Sequence, residues 1–120
     1  MDTSREYIKM CDCLEIKTKP SYDECSFWAR PLITGKYSVW MSFHSPGDIF
    51  LPRQDQIQKM IIKEKFGDFG THWDMCIDIP MQFVSKNPTL ELSSMEQIWL
   101  SCYMLSIHQK IWDGEKWAMK

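Results

Sequence analysis

Neither sign of charge dominates this chain: 14 basic residues stand against 16 acidic ones in 120 positions, and neither is gathered into a block. That excludes an extended charged tail and argues against a dedicated non-specific nucleic-acid or membrane-surface binder, whose basic excess would be marked. No run approaches the roughly 18 apolar residues of a bilayer-crossing helix. The opening Met1 to Glu6 is polar and lacks the apolar stretch of a secretory leader. There is no internal repeat, low-complexity stretch or linker, no glycine-rich phosphate loop and no His-Glu-x-x-His helix.

Cysteine is present in an odd number: Cys11, Cys13, Cys25, Cys76 and Cys102 cannot all be paired. Cys76 and Cys102 fall in apolar-periodic segments, where a free thiol behaves as a small hydrophobe. The expectation is a reduced, cytoplasmic protein with no membrane segment and no cofactor.

What is there in quantity is apolar side chain, 44% of residues, with 13% aromatic. A chain within the usual one-domain length of roughly 100 to 200 residues can build one self-sufficient core from that, so residues 1–120 read as a single domain.

Asp2, Thr3 and Ser4 are cap candidates for a short opening helix through Met10. Residues 12–24 read as loop, with a short extended piece near Ile16. Phe27 to Ile33 and Lys36 to Phe43 flank a Thr34-Gly35 turn. In the second run Tyr37, Val39, Met41 and Phe43 alternate with Ser38, Trp40 and Ser42, the pattern of a half-buried hairpin. Ile49 to Leu51 is a short strand running into Pro52, which suits the first position of a helix reaching about Lys65.

That helix puts Ile57, Met60 and Ile61 on one face, with Arg53, Gln56, Lys59 and Lys63 mostly on the other. Residues 71–84 fit both a helical and an alternating period, and the reading adopted is a helix bent at Pro80.

The clearest element begins where Ser93 with Glu96, or Ser94 with Gln97, has capping-box spacing. From there Met95, Ile98, Trp99, Cys102 and Leu105 form one stripe, and Leu100, Tyr103, Met104 and Ile107 a second. A helix over about 94–109, apolar on most of its circumference, should sit at the centre against the sheet and another helix. Asp113-Gly114 signals a two-residue hairpin turn that sets Trp112 and Trp117 diagonally on one face. The fold class is therefore α+β: a small, mostly antiparallel sheet and a C-terminal hairpin, packed with three or four helices.

Chemistry is sparse. Cys11 and Cys13, with Cys25 and His44, lack the usual Cys-x2-Cys half-site of zinc, so free thiols are the default and no metal is expected. Asp68-Phe69-Gly70 copies a kinase motif without the rest of a kinase, and His44, His72 and His108 are scattered. A His108 facing solvent at a helix end, favoured by the helix dipole there, is the simpler reading.

The densest polar cluster is Arg53, Gln54, Asp55 and Gln56 at a helix start, followed by Lys59 and Lys63. Arg53, Gln54, Gln56, Lys59 and Lys63 are the candidate binding residues, since arginine and glutamine can bond base edges and a helix start favours phosphate; a solvated helix face would carry the same residue types. Six tryptophans and nine methionines suggest that some of Trp28, Trp40, Trp73, Trp112 and Trp117 form a protein interface, although core placement is the default for each.

Several strings also stand together: Glu6-Tyr-Ile-Lys-Met-Cys-Asp-Cys, Leu51-Pro-Arg-Gln-Asp-Gln-Ile-Gln-Lys-Met, Ser94-Met-Glu-Gln-Ile-Trp-Leu and Lys110-Ile-Trp-Asp-Gly-Glu-Lys-Trp. In order and spacing they resemble a group of small uncharacterised proteins of phages, prophages and other bacterial mobile elements. The resemblance implies a small accessory protein inside a bacterial cell and carries no site residue. The leading expectation is a non-enzymatic module binding another protein, or itself as a homodimer. Nucleic-acid binding through the 52–65 helix is the alternative, and a small hydrolase or metal-dependent enzyme a third.

Overall fold

The computed structural model describes residues 1–17, 26–41, 47–66, 92 and 94–119. Its elements, in chain order, are α1 (Arg5–Cys11), α2 (Leu14–Lys17), β1 (Phe27–Pro31), β2 (Tyr37–Met41), β3 (Ile49–Leu51), α3 (Gln54–Phe66), α4 (Met95–His108), β4 (Lys110–Trp112) and β5 (Trp117–Met119). Among the described residues four helices accompany a three-stranded antiparallel sheet, in the order β2-β1-β3, and the β4-β5 hairpin. The class is α+β. The bent helix expected over 71–84 and the glycines at 67 and 70 lie outside the described residues.

Helix α1 starts where Ser4, in extended backbone, accepts from the Tyr7 N–H at 3.2 Å. Seven residues are too few for a helix to be stable alone, so its stability comes from burying Tyr7, Ile8, Met10 and Cys11. The extended piece expected near Ile16 is instead the helical turn α2, which drives Ile16 into the core.

Helix α4 follows the sequence closely. Ser94 is its N-cap, accepting from the Gln97 N–H at 3.2 Å, and Gln109 ends it in left-handed backbone at φ 53°. Trp99, Leu100, Cys102, Tyr103 and Met104 are all buried. Its main neighbours are α3, β4 and α1, and it is α1 that lies on the three-stranded sheet, along β3. Of its two expected supports, the helix is α3 and the strand is β4 of the terminal hairpin.

Two turns differ from expectation. The β1-β2 connection closes with Leu32 N–H donating to the Lys36 carbonyl at 2.8 Å and Gly35 N–H to the Leu32 carbonyl at 3.0 Å. Gly35 sits at φ 81°, so the loop is Ile33-Thr34-Gly35, a type I turn closed by a left-handed glycine. The terminal hairpin pairs Trp112 directly with Trp117 and leaves Asp113 to Lys116 as its loop. The Asp113 carboxylate accepts from the N–H groups of Glu115 at 2.8 Å and Lys116 at 2.9 Å, which widens a two-residue turn to four. The tryptophans are therefore opposite rather than diagonal, with ring centroids 5.1 Å apart.

Candidate protein-contact surface

The helix-start cluster is split between core and surface. Pro52 precedes the helix instead of opening it, and Arg53 takes the capping position before Gln54. Gln56 is only 1% exposed: its Oε1 accepts from the Arg53 N–H at 2.9 Å, and its Nε2 donates to Ser26 Oγ at 3.1 Å. That is one arm of a capping box used to tie α3 to the start of β1. The Arg53 guanidinium forks onto Asp55, with Nε–Oδ1 at 3.0 Å and Nη2–Oδ2 at 3.2 Å, and holds that carboxyl below its ordinary range. Gln54 is half-buried, and Lys59 and Lys63 project into solvent. The cluster therefore does not present its amide and guanidinium edges together on one face, as base readout would need.

The described thiols are no better placed for nucleophilic or metal chemistry. Burial pushes the Cys11 thiol well up, and the Cys13 thiol up to about 11, so both stay protonated near neutrality. Among the described residues no group of three His, Cys, Asp or Glu side chains could hold a metal ion; Cys25, Cys76, His44 and His72 lie outside them. His108 Nε2 sits 3.3 Å from the Tyr103 hydroxyl and is half-buried rather than solvent-facing. Among the described residues no helix is long and apolar enough to cross a membrane.

Apolar surface gathers elsewhere, on the β1-β2 hairpin. Leu32 and Ile33 at its turn, and Val39, Trp40 and Met41 on β2, are all exposed, Trp40 and Met41 at 50% and 54%. Strand β2 is therefore not half-buried as its alternation suggested. It is the outer strand of its sheet, and no described strand pairs with its far side. Tyr37 to Met41 contains no charged residue, whereas exposed edges are usually blunted by charge, proline or a bulge.

The ladder geometry shows what that edge offers. Because the Leu32 N–H bonds the Lys36 carbonyl, antiparallel alternation turns the main-chain groups of Ser38 and Trp40 toward β1. Those of Tyr37, Val39 and Met41 face the open edge.

Trp40 is held for contact. The Arg30 guanidinium lies 5.8 Å from its ring centroid, and Arg30 is itself fixed by a two-pronged pair with Asp48, at 3.0 and 3.1 Å. Asp48 keeps only 3% of its side chain exposed, so the stack is anchored in the protein body. A half-exposed aromatic ring already fixed on one face loses little rotamer freedom on binding.

Beside β2 runs a groove lined by Thr3, Arg5, Ile8, Gly35, Lys36, Tyr37 and Val39, with a volume of about 210 Å³. That is below the roughly 300 to 1,000 Å³ of small-molecule pockets, so it suits side chains rather than a cofactor. Two cations line it and no acid does.

Of the tryptophans considered for an interface, Trp28 and Trp112 are buried, the former against Phe50 at 5.3 Å. Trp117 is half-buried, with its Nε1 donating to the Met10 carbonyl at 2.8 Å, and Trp73 lies outside the described residues. Among the described tryptophans, Trp40 is the one exposed on the hairpin. The sequence reading missed Leu32, Ile33, Val39 and Met41. Ile33 could have been found, because an apolar residue at the tip of a tight turn has nothing beneath it to cover it. No family model matches the chain, and neither does any curated protein or any solved structure.

Proposed function

We propose that this chain is a non-catalytic accessory module that works by binding another protein, with the β1-β2 hairpin as its contact surface. The observation that carries this reading is an outer strand with exposed Val39, Trp40 and Met41 and no charge along it. Such an edge is an aggregation hazard unless a partner covers it. The pinned stack of Asp48, Arg30 and Trp40 supports the same reading, since anchors of this kind dominate protein interfaces. An accessory role in a bacterial mobile element, as the sequence resemblance implies, fits a module whose work is association rather than chemistry.

Site-specific photocrosslinking in the native host tests it. A photoreactive phenylalanine analogue replacing Trp40 should yield a discrete protein adduct, whereas the same analogue at Lys63, on the solvated face of α3, should not. Equal adduct patterns at the two positions would sink the reading.

A further inference from the structure

Resting on that reading, we infer that the partner's contacting segment is an extended, acidic strand that adds to the edge of β2 on which no described strand lies and sends acidic side chains into the groove beside α1. The main-chain groups of Tyr37, Val39 and Met41 supply the ladder, as in other cases where a peptide extends a sheet. Side chains of an added strand alternate between the two faces of the sheet. On the face shared by Tyr37 and Val39 they meet the groove and its Arg5 and Lys36. On the other face they meet Trp40.

Charge decides the occupant. Among the described residues neither the Arg5 nor the Lys36 side chain has an ion-pair partner, and the groove lining contains no carboxylate. Two unpaired cations on the rim of a side-chain-sized groove complement Asp or Glu, and the exposed indole on the opposite face complements an apolar residue. The segment recognised is therefore a strand in which acidic and apolar residues alternate. A second copy of this chain brings no comparable match, because Tyr37 to Met41 has no acidic residue to offer.

The test uses the full chain and a labelled, end-capped peptide, Glu-Val-Glu-Val-Glu-Val-Glu, followed by fluorescence anisotropy. Binding should weaken with salt and fall about tenfold in the Arg5→Glu, Lys36→Glu double variant, which loses two exposed ion pairs. The matching peptide with Lys in place of Glu should bind that variant better than wild type. N-methylation of alternate peptide amides, which needs no change in the protein, should abolish binding by removing the ladder donors.

Equal binding of Glu and Lys peptides to wild type, or indifference to N-methylation, would overturn the inference. So would a concentration-dependent dimer in sedimentation that Trp40→Ser dissolves, or an oligonucleotide that binds through Arg5 and Lys36 where the peptide does not. If the Trp40 crosslink still forms while the peptide fails, the strand inference falls alone and the contact surface stands. Loss of both removes the surface as well.

Discussion

The phenol of Tyr7 donates to the main-chain carbonyl of Pro52 at 2.5 Å, both groups buried, and so joins α1 to the end of β3. Proline has no N–H of its own, and its carbonyl here faces the core instead of water. Burial raises the Tyr7 phenol well above its ordinary value, keeping the proton available to donate. Tyr7→Phe leaves the ring in place and orphans the carbonyl. It should destabilise the protein by about 1 to 3 kcal/mol, read from the midpoint of urea unfolding; an unchanged midpoint would show that the bond contributes nothing.

Asp2 predicts a pH dependence. Partial burial by itself raises its carboxyl, but hydrogen bonds from Ser4, Ser94 and Gln97 outweigh that and leave it below its ordinary value. Ser94 Oγ and Gln97 Nε2 both reach Asp2 Oδ2, at 2.5 and 2.9 Å. A carboxyl depressed in the folded state contributes stability above its unfolded pKa and loses it as pH falls through the folded one. Asp2→Asn should therefore cost stability at neutral pH, and the difference from wild type should shrink as pH falls through and below the ordinary carboxylate range. Parallel stability curves from pH 7 to 2 would contradict this.

The cap of α4 offers a gain. Gln109 occupies left-handed backbone at φ 53°, and its N–H satisfies the carbonyls of Leu105 and Met104. Glycine accepts that conformation without a Cβ penalty, so Gln109→Gly should stabilise by about 0.5 to 1 kcal/mol. Gln109→Val should destabilise by at least as much. Thermal unfolding of the two variants should bracket wild type.

Much of this architecture was legible in sequence. Ser94 and Gln97 marked the start of α4, and its two apolar stripes required it to be covered nearly all round. Alternation in Tyr37 to Met41 was legible too, but alternation says which side chains share a face and not whether a strand has neighbours. Sheet order is a long-range property, so the exposure of β2 could not be read from its own residues. Gln56 misled for a different reason. Its polarity suggested the solvated face, yet it lies four residues before Met60, on the border of the buried stripe, and its amide serves the helix start. Arg5 and Lys36 are distant in sequence and meet only because α1 and the β1-β2 turn border one groove.

Thiol chemistry gives a fourth prediction. With burial pushing Cys13 up to about 11, its thiolate at pH 8 should be about two orders of magnitude scarcer than that of a free cysteine, whose pKa is near 8.5. Cys11 and Cys102 are buried outright. Alkylation followed by peptide mass spectrometry should find these three slow in the folded protein and fast in urea. Rapid native labelling of Cys13 would show that its site opens freely.

The bonds that seat α1 come largely from the far end of the chain: Asp2 meets Ser94 across 92 positions, and Glu6 receives the Trp112 indole N–H across 106. Long loops make such closures slow. During synthesis these two bonds cannot form until Ser94 and Trp112 have left the ribosome. Until then Tyr7, Ile8 and Met10 have only β3 and the Pro52 carbonyl to settle against, a partial seat that the later bonds complete.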